Sequence, residues 1–225
     1  MQLDGPRLAP LYGGKAAYLV VLLHGVGANG NDLISLARAW QKTLPKAEFI
    51  SPNAPFPWDY GPEARQWFSL ADRTPETLLA GLRQATAILD RFFDELLASR
   101  QLADTNLALA GFSQGAATAL YAGLRRRTQI AGIVAYSGAL PGGEGWRSDI
   151  LSKPPVLLVH GEADDVVPFL AMAHAKTTLE AAGVPVTAVP RPGLGHAIDD
   201  AGIALGGDFL RNVFARGGGV TGRPV

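Results

Sequence analysis

The chain has 225 residues, no cysteine and a formal net charge of +0. These values exclude a disulfide framework, a thiolate metal site and a cysteine nucleophile. They also give no reason to expect a broad electrostatic attraction to nucleic acid or an anionic membrane. Hydrophobic residues make up 48% of the chain, which suits one compact α/β domain.

The first ten residues, "MQLDGPRLAP", lack a basic segment followed by an apolar one, so no secretory signal is expected. No apolar run approaches the eighteen or so residues of a membrane span. The expectation is a cytoplasmic protein without stable membrane insertion.

"AYLVVLL" (17–23) is apolar throughout and reads as a strand buried on both faces. "NDLISLARAW" (31–40) reads as a helix capped by Asn31. "AEFISP" (47–52) reads as a strand ended by Pro52. The spacing predicts a long helix from about Pro75 to Arg100. Thr74 suits its cap, Pro75 its first turn, and Glu76 its positive end. Leu78, Leu82, Leu89, Phe92 and Leu96 share one face of it. "NLALAG" (106–111) is a strand and "QGAATALYAGL" (114–124) a helix. "IAGIVAYSG" (130–138) and "PPVLLVHG" (154–161) are strands. A helix over 168–183 stops at Gly183, strand 184–190 follows, and a last helix lies within 197–215. Strands alternating with helices imply a mostly parallel central sheet with helices on both faces. The expected organisation is a single domain over 1–215 and a flexible Gly-rich tail over 216–225.

Gly111-Phe112-Ser113-Gln114-Gly115 is a G-x-S-x-G pentapeptide between a predicted strand and a predicted helix. In that context the pattern is a nucleophile elbow. A sharp turn strains the serine backbone and lifts its hydroxyl above the sheet. The flanking glycines remove Cβ atoms that would collide there. The helix N-terminus turns N–H groups toward any oxyanion that forms.

A serine hydroxyl needs a base. The chain offers His24, His160, His174 and His196. His174 falls inside a predicted helix. His24 and His160 each end a strand and precede a glycine, where they can support the strand tips. His196, in "RPGLGHAIDD", follows the last strand, at the sheet edge where Ser113 is expected. A carboxylate must hold that imidazole. "VHGEADDVVP" (159–168) supplies Glu162, Asp164 and Asp165, which could equally form a solvated acidic turn. The order Ser113, Asp164, His196 is that of the α/β-hydrolases.

Over roughly residues 15 to 215 the sequence resembles the carboxylesterase/phospholipase family, which includes bacterial carboxylesterases and the acyl-protein thioesterases. The resemblance is carried by "LLHGVGANGNDL", "APFP", "RQWFSL", "GFSQGAATAL", "YSGALP", "LLVHGEADDVVP" and "GLGHAID". "PWDYGPEARQWFSL" differs from the version of eukaryotic thioesterases and looks like a bacterial branch. The resemblance implies a compact α/β-hydrolase fold without a large lid domain. It implies Ser113 as nucleophile, His196 as base and Asp164 as acid, with the backbone N–H groups of Val26 and Gln114 as the oxyanion hole. In that reading His24 shapes its loop without taking part in proton transfer.

The expected activity is hydrolysis of short to medium acyl esters through an acyl-enzyme, with no metal and no cofactor. Trp67, Phe68, Leu70, Val166 and Phe169 are the expected substrate contacts. The expected partner is a small-molecule ester, and a homodimer is compatible with the sequence. Lysophospholipid or thioester cleavage by the same triad is the enzymatic alternative. A non-catalytic ligand-binding α/β-hydrolase is the alternative of another class, although all three triad positions are filled.

Overall fold

The computed structural model describes residues 3–141 and 145–217. From residue 218 onward the expected tail lies outside the described residues. The elements before the elbow are β1 (Arg7–Leu8), β2 (Tyr18–Leu23), α1 (Gly30–Leu33), α2 (Ser35–Trp40), β3 (Ala47–Ile50), β4 (Phe56–Trp58), β5 (Gly61–Gln66), α3 (Pro75–Arg100) and β6 (Leu107–Phe112). After it come α4 (Gln114–Arg125), β7 (Gly132–Tyr136), β8 (Val156–Gly161), α5 (Leu170–Ala181), β9 (Val186–Arg191) and α6 (Asp200–Gly217).

Seven strands form the central sheet in the order β1-β3-β2-β6-β7-β8-β9. Only the edge strand β1 is antiparallel to its neighbour. The apolar runs are explained by two cores, one on each face. Leu19, Val21 and Leu23 of β2 point into a core shared with α3, α4 and α5. Val20 and Leu22 point the other way, among Leu36 and Trp40 of α2 and Leu210 and Phe214 of α6. The two-residue period of a strand divides the run between them, so no polar position is left to alternate.

Helix α3 runs over the predicted residues, and the Thr74 side chain accepts the Thr77 N–H. Leu82, Leu89, Phe92 and Leu96 are buried on it, whereas Leu78 is only partly so. The predicted helix over 31–40 is two short helices meeting at Ile34. Its cap is Asn29, not Asn31. The Asn29 side chain accepts the Asn31 N–H at 2.9 Å, and Asp32 accepts the Asn29 N–H at 2.8 Å. Asp32 lies three residues beyond Asn29, and this reciprocal pair fixes the start.

An element that the apolar pattern does not announce is the antiparallel hairpin β4–β5. It packs onto the loop after β2. Gly27 N–H donates to Arg65 O at 2.9 Å, and Arg65 N–H donates to Ala28 O at 3.0 Å. The "PWDYGPEAR" segment is therefore a brace for the loop that carries Val26.

Candidate active site

Ser113 stands between β6 and α4 with φ 55° and ψ −118°. A positive φ is strained for any residue with a side chain. The neighbouring glycines make this turn sterically feasible. A Cβ on Gly111 would lie 2.3 Å from Gly115 O, and one on Gly115 would lie 1.9 Å from Leu23 O. The strain is anchored by the Ser113 N–H, which donates to Tyr136 O at 2.9 Å on the neighbouring strand.

His196 lies in the loop after β9, and Asp164 in the loop after β8. His196 Nδ1 is 2.8 Å from Asp164 Oδ2. The partner is a carboxylate, so Nδ1 carries the hydrogen and Nε2 keeps its lone pair. Asp164 Oδ1 accepts the Val166 and Val167 N–H groups at 3.0 and 2.8 Å. The carboxylate is fully buried, and the His196 side chain is 16% exposed. Burial acts to raise the Asp164 carboxyl. The hydrogen bond from His196, those from Val167 and Val166, and the charge of His196 together outweigh it and hold the group below its ordinary range. Phe112 backs the imidazole, with ring centroids 4.7 Å apart.

Backbone and ion-pair contacts hold the two loops together. Ala163 N–H donates to Leu194 O at 2.9 Å, and Glu162 N–H donates to Arg191 O at 3.0 Å. Arg191 and Asp199 close the base of the His196 loop with an ion pair at 2.7 Å. A Cβ on Gly161 would lie 2.2 Å from Leu194 O, which explains the glycine after His160.

The remaining histidines separate cleanly. His24 Nδ1–H donates to Gly25 O at 2.7 Å, and its Nε2 accepts the Ala54 N–H at 3.0 Å. Both nitrogens are committed to backbone, and burial pulls this imidazole below its ordinary range. His174 is exposed on α5. His160 does more than support a strand tip. Its buried Nε2 is 2.8 Å from Val167 O and 3.2 Å from Asp164 Oδ2. Two acceptors around one nitrogen make Nε2 a donor; its hydrogen goes to Val167 O, so a second imidazole holds the turn that presents the carboxylate.

Of the expected substrate contacts, Phe68, Leu70 and Val166 line a cavity beside Ser113. Trp67 does not. It is fully buried, and its Nε1–H donates to His24 O at 2.8 Å. Phe169 packs against the core and stands edge-on to His160. Both aromatics are structural supports, because their rings fill the space behind the loops. The Gln114 side chain is also structural, beyond the backbone role expected of that residue. Its Oε1 accepts the Trp67 N–H at 2.9 Å, and its Nε2 donates to Phe68 O at 2.7 Å. This clamp fixes one wall of the cavity from inside. Asp59 fixes the same wall from outside, accepting from Gln66 Nε2 and Ser69 Oγ, each at 2.7 Å.

Two cavities meet at Val26, Ser113 and Val166. One, of about 250 Å³, holds Phe68, Leu70, Leu78, Leu82 and Leu140. The other, of about 520 Å³, holds His196, Leu33, Leu36, Ile198 and Ile203. As the first residue of α4, Gln114 has an N–H free of the helix ladder, and the residue lines the smaller cavity. Among the described residues no group of three or more His, Asp or Glu could hold a metal ion. A hydroxyl on a strained turn, a buried carboxylate–imidazole pair and a free amide at a helix N-terminus can together perform acyl transfer to a serine.

Comparison with known proteins gives the same picture. The profile of the phospholipase/carboxylesterase family matches residues 12–214. Acyl-protein thioesterase 1 of Neurospora crassa is 28% identical over 210 residues, covering 85% of this chain and 84% of that protein. A probable carboxylesterase of Oryza sativa subsp. japonica is 31% identical over 191 residues, covering 80% and 71%. Among solved structures, esterase PE8 superposes with a TM-score of 0.89 at 39% identity, covering 95% of this chain and all (100%) of that one. Zea mays acyl-protein thioesterase 2 gives 0.72 at 27% identity, covering 94% and 100%. A mostly parallel sheet with an elbow at its centre and a family profile that covers it from β2 to β9 have one meaning: the chain belongs to the phospholipase/carboxylesterase family of α/β-hydrolases and is an ester-bond hydrolase.

Proposed function

We propose that the protein is a serine carboxylesterase acting on short to medium acyl esters through Ser113, His196 and Asp164. The observation that carries this reading is the 2.8 Å contact of His196 Nδ1 with buried Asp164 Oδ2, on a ring that shares a cavity with Ser113. His196 Nε2 takes the Ser113 proton as Oγ bonds to the carbonyl carbon. The oxyanion is held by the N–H groups of Val26 and Gln114. His196 then gives its proton to the leaving alcohol, and a water activated by the same nitrogen clears the acyl-enzyme. Asp164 keeps the imidazole in one tautomer and stabilises its cation. The acyl chain lies against Phe68, Leu70 and Val166. No helix among the described residues is long and apolar enough to cross a membrane; in this reading the enzyme acts on small-molecule esters in the cytoplasm.

Labelling by a fluorophosphonate probe tests the reading. Wild-type protein should be modified at Ser113 and should hydrolyse p-nitrophenyl butyrate. Ser113→Ala should fold, resist the probe and lose turnover by several orders of magnitude, as triad removals do elsewhere. Turnover above a few per cent in the purified variant would move the nucleophile. A wild-type chain that neither labels nor hydrolyses any ester would leave the ligand-binding alternative.

A further inference from the structure

We infer that this esterase selects its substrate on the alcohol side, and that it takes short to medium acyl esters of a bulky apolar alcohol or phenol. The inference rests on the triad proposed above. It follows from which cavity contains the imidazole.

When the tetrahedral intermediate collapses, the bond between the carbonyl carbon and the alkoxy oxygen breaks. The proton on His196 Nε2 moves to that oxygen, and the acyl group stays on Ser113 Oγ. The departing oxygen must therefore lie within reach of His196. Of the two cavities that meet at Ser113, only the larger is lined by His196. The alcohol leaves into that space, and the acyl chain occupies the other.

The two spaces differ in size. The alcohol side has about 520 Å³ and the acyl side about 250 Å³. The alcohol side is also apolar and partly uncovered. Leu33 and Leu36 form its floor, and Phe112, Ile198 and Ile203 form half-buried walls. Apart from the reacting residues and His24, whose ring nitrogens are committed to backbone, its polar members Asp32 and Ser35 are exposed, and Asp32 is already engaged in the Asn29 cap. Concave apolar walls gain from a ring system and gain nothing from ethanol. This cavity lies between α1, α2 and the start of α6, so it suits a small molecule better than the surface of a protein.

The test holds the acyl group and the leaving-group basicity constant. Butyrate esters of ethanol, cyclohexylmethanol and 1-naphthylmethanol are compared by kcat/KM. The expected result is a rise of at least tenfold from the ethyl to the naphthylmethyl ester. Ile203→Trp, which fills the cavity, should lower the naphthylmethyl-to-ethyl ratio at least fivefold. Ser35→Trp fills it from the exposed rim, so it reports even if the Ile203 variant does not fold. Leu140→Trp, in the acyl cavity, should shorten the tolerated acyl chain and leave that ratio within twofold. A flat or falling alcohol series in a wild-type enzyme that turns over ethyl butyrate overturns the inference and leaves the triad standing. A ratio that falls in Leu140→Trp but in neither tryptophan variant of the larger cavity overturns it by exchanging the two spaces. Absence of both probe labelling and ester turnover removes the triad reading and this inference with it.

Discussion

The Asp164 carboxylate receives N–H groups from three directions, Val166, Val167 and His196, and the His160 ring, which donates to Val167 O, stands beside it. The carboxylate is an acceptor only, and an amide in its place would turn a donor toward His196. Asp164→Asn should therefore lower kcat by about 10⁴, as wrong-tautomer variants of this triad do. Exposed Asp165→Asn should stay near wild type, and the reverse ranking would shift the acid by one residue. His160→Phe removes the hydrogen bond to Val167 O that holds the turn around Asp164. Its kcat/KM should fall about fivefold, the loss of about 1 kcal/mol for one neutral hydrogen bond, mostly in kcat. His160→Gln restores a donor and should recover part of it. A loss confined to thermal stability would make His160 a packing residue only. The sign of a further pH effect follows from His24. Its folded pKa is lowered by burial, so the unfolded chain binds the proton first. The stability it contributes is full above about pH 6.5, the unperturbed value, and declines as pH falls toward the lowered one. Urea titrations between about pH 8 and 4.5, above the ordinary carboxylate range, should show this slope in wild type. The slope should flatten in His24→Asn, and an unchanged slope would assign it to another group.

At the scale of the element, the elbow depends on α4 approaching β2 at Gly115. Gly115→Ala would press a methyl into Leu23 O, where only 1.9 Å is available. The expected loss is about 3 kcal/mol or more, which is about 6–12 °C in Tm for a chain of this size. A calorimetric scan checks it, and a shift under about 2 °C, less than 1 kcal/mol by the same scaling, would mean that the helix can slide. The elbow was legible in the sequence because its strain is local: two glycines at fixed spacing are the signal. The central strands were legible because burial on both faces leaves an unbroken apolar run. The β4–β5 hairpin was not legible. Its residues are half exposed, and it is held by pairing with Gly27 and Ala28, far away in the chain. The cap of α1 was misread because Asn29 and Asn31 are equally good caps by type, and the capping box with Asp32 decides between them. His160 and Gln114 look like a strand tip and an interchangeable elbow residue. Their roles come from what their side chains meet, Val167 O and Asp164 in one case and residues 67 and 68 in the other. The Gln114 partners lie far away in the chain, and those of His160, though near in sequence, are met only through the tight turn after β8.

On the scale of the whole molecule, the smaller cavity is walled by loops, α3 and the start of α4, with Phe68 held by Gln114 and its neighbours Gln66, Ser69 and Leu70 held by Asp59. A p-nitrophenyl ester series from acetate to palmitate should rise in kcat/KM through the short and medium chains. Each methylene that finds a wall adds up to about 0.8 kcal/mol. The series should then level, because later carbons remain in water. A continued rise to palmitate at constant detergent would favour the lysophospholipase alternative. Ser113 and His196 also occupy unequal places in the sheet. Ser113 leaves β6, which is paired on both sides, whereas His196 leaves β9, which among the described residues is paired only with β8. Half-exposed β9 carries Pro190, which cannot donate to a further strand and so protects the rim from edge-to-edge association. Rim strands open at lower free energy than central ones. Amides of β9 should exchange with deuterated solvent well before those of β6. In a denaturant series, turnover should vanish while the circular dichroism signal is still that of the native sheet. The enzyme would thus fail from its margin inward, losing its base while its nucleophile is still in place.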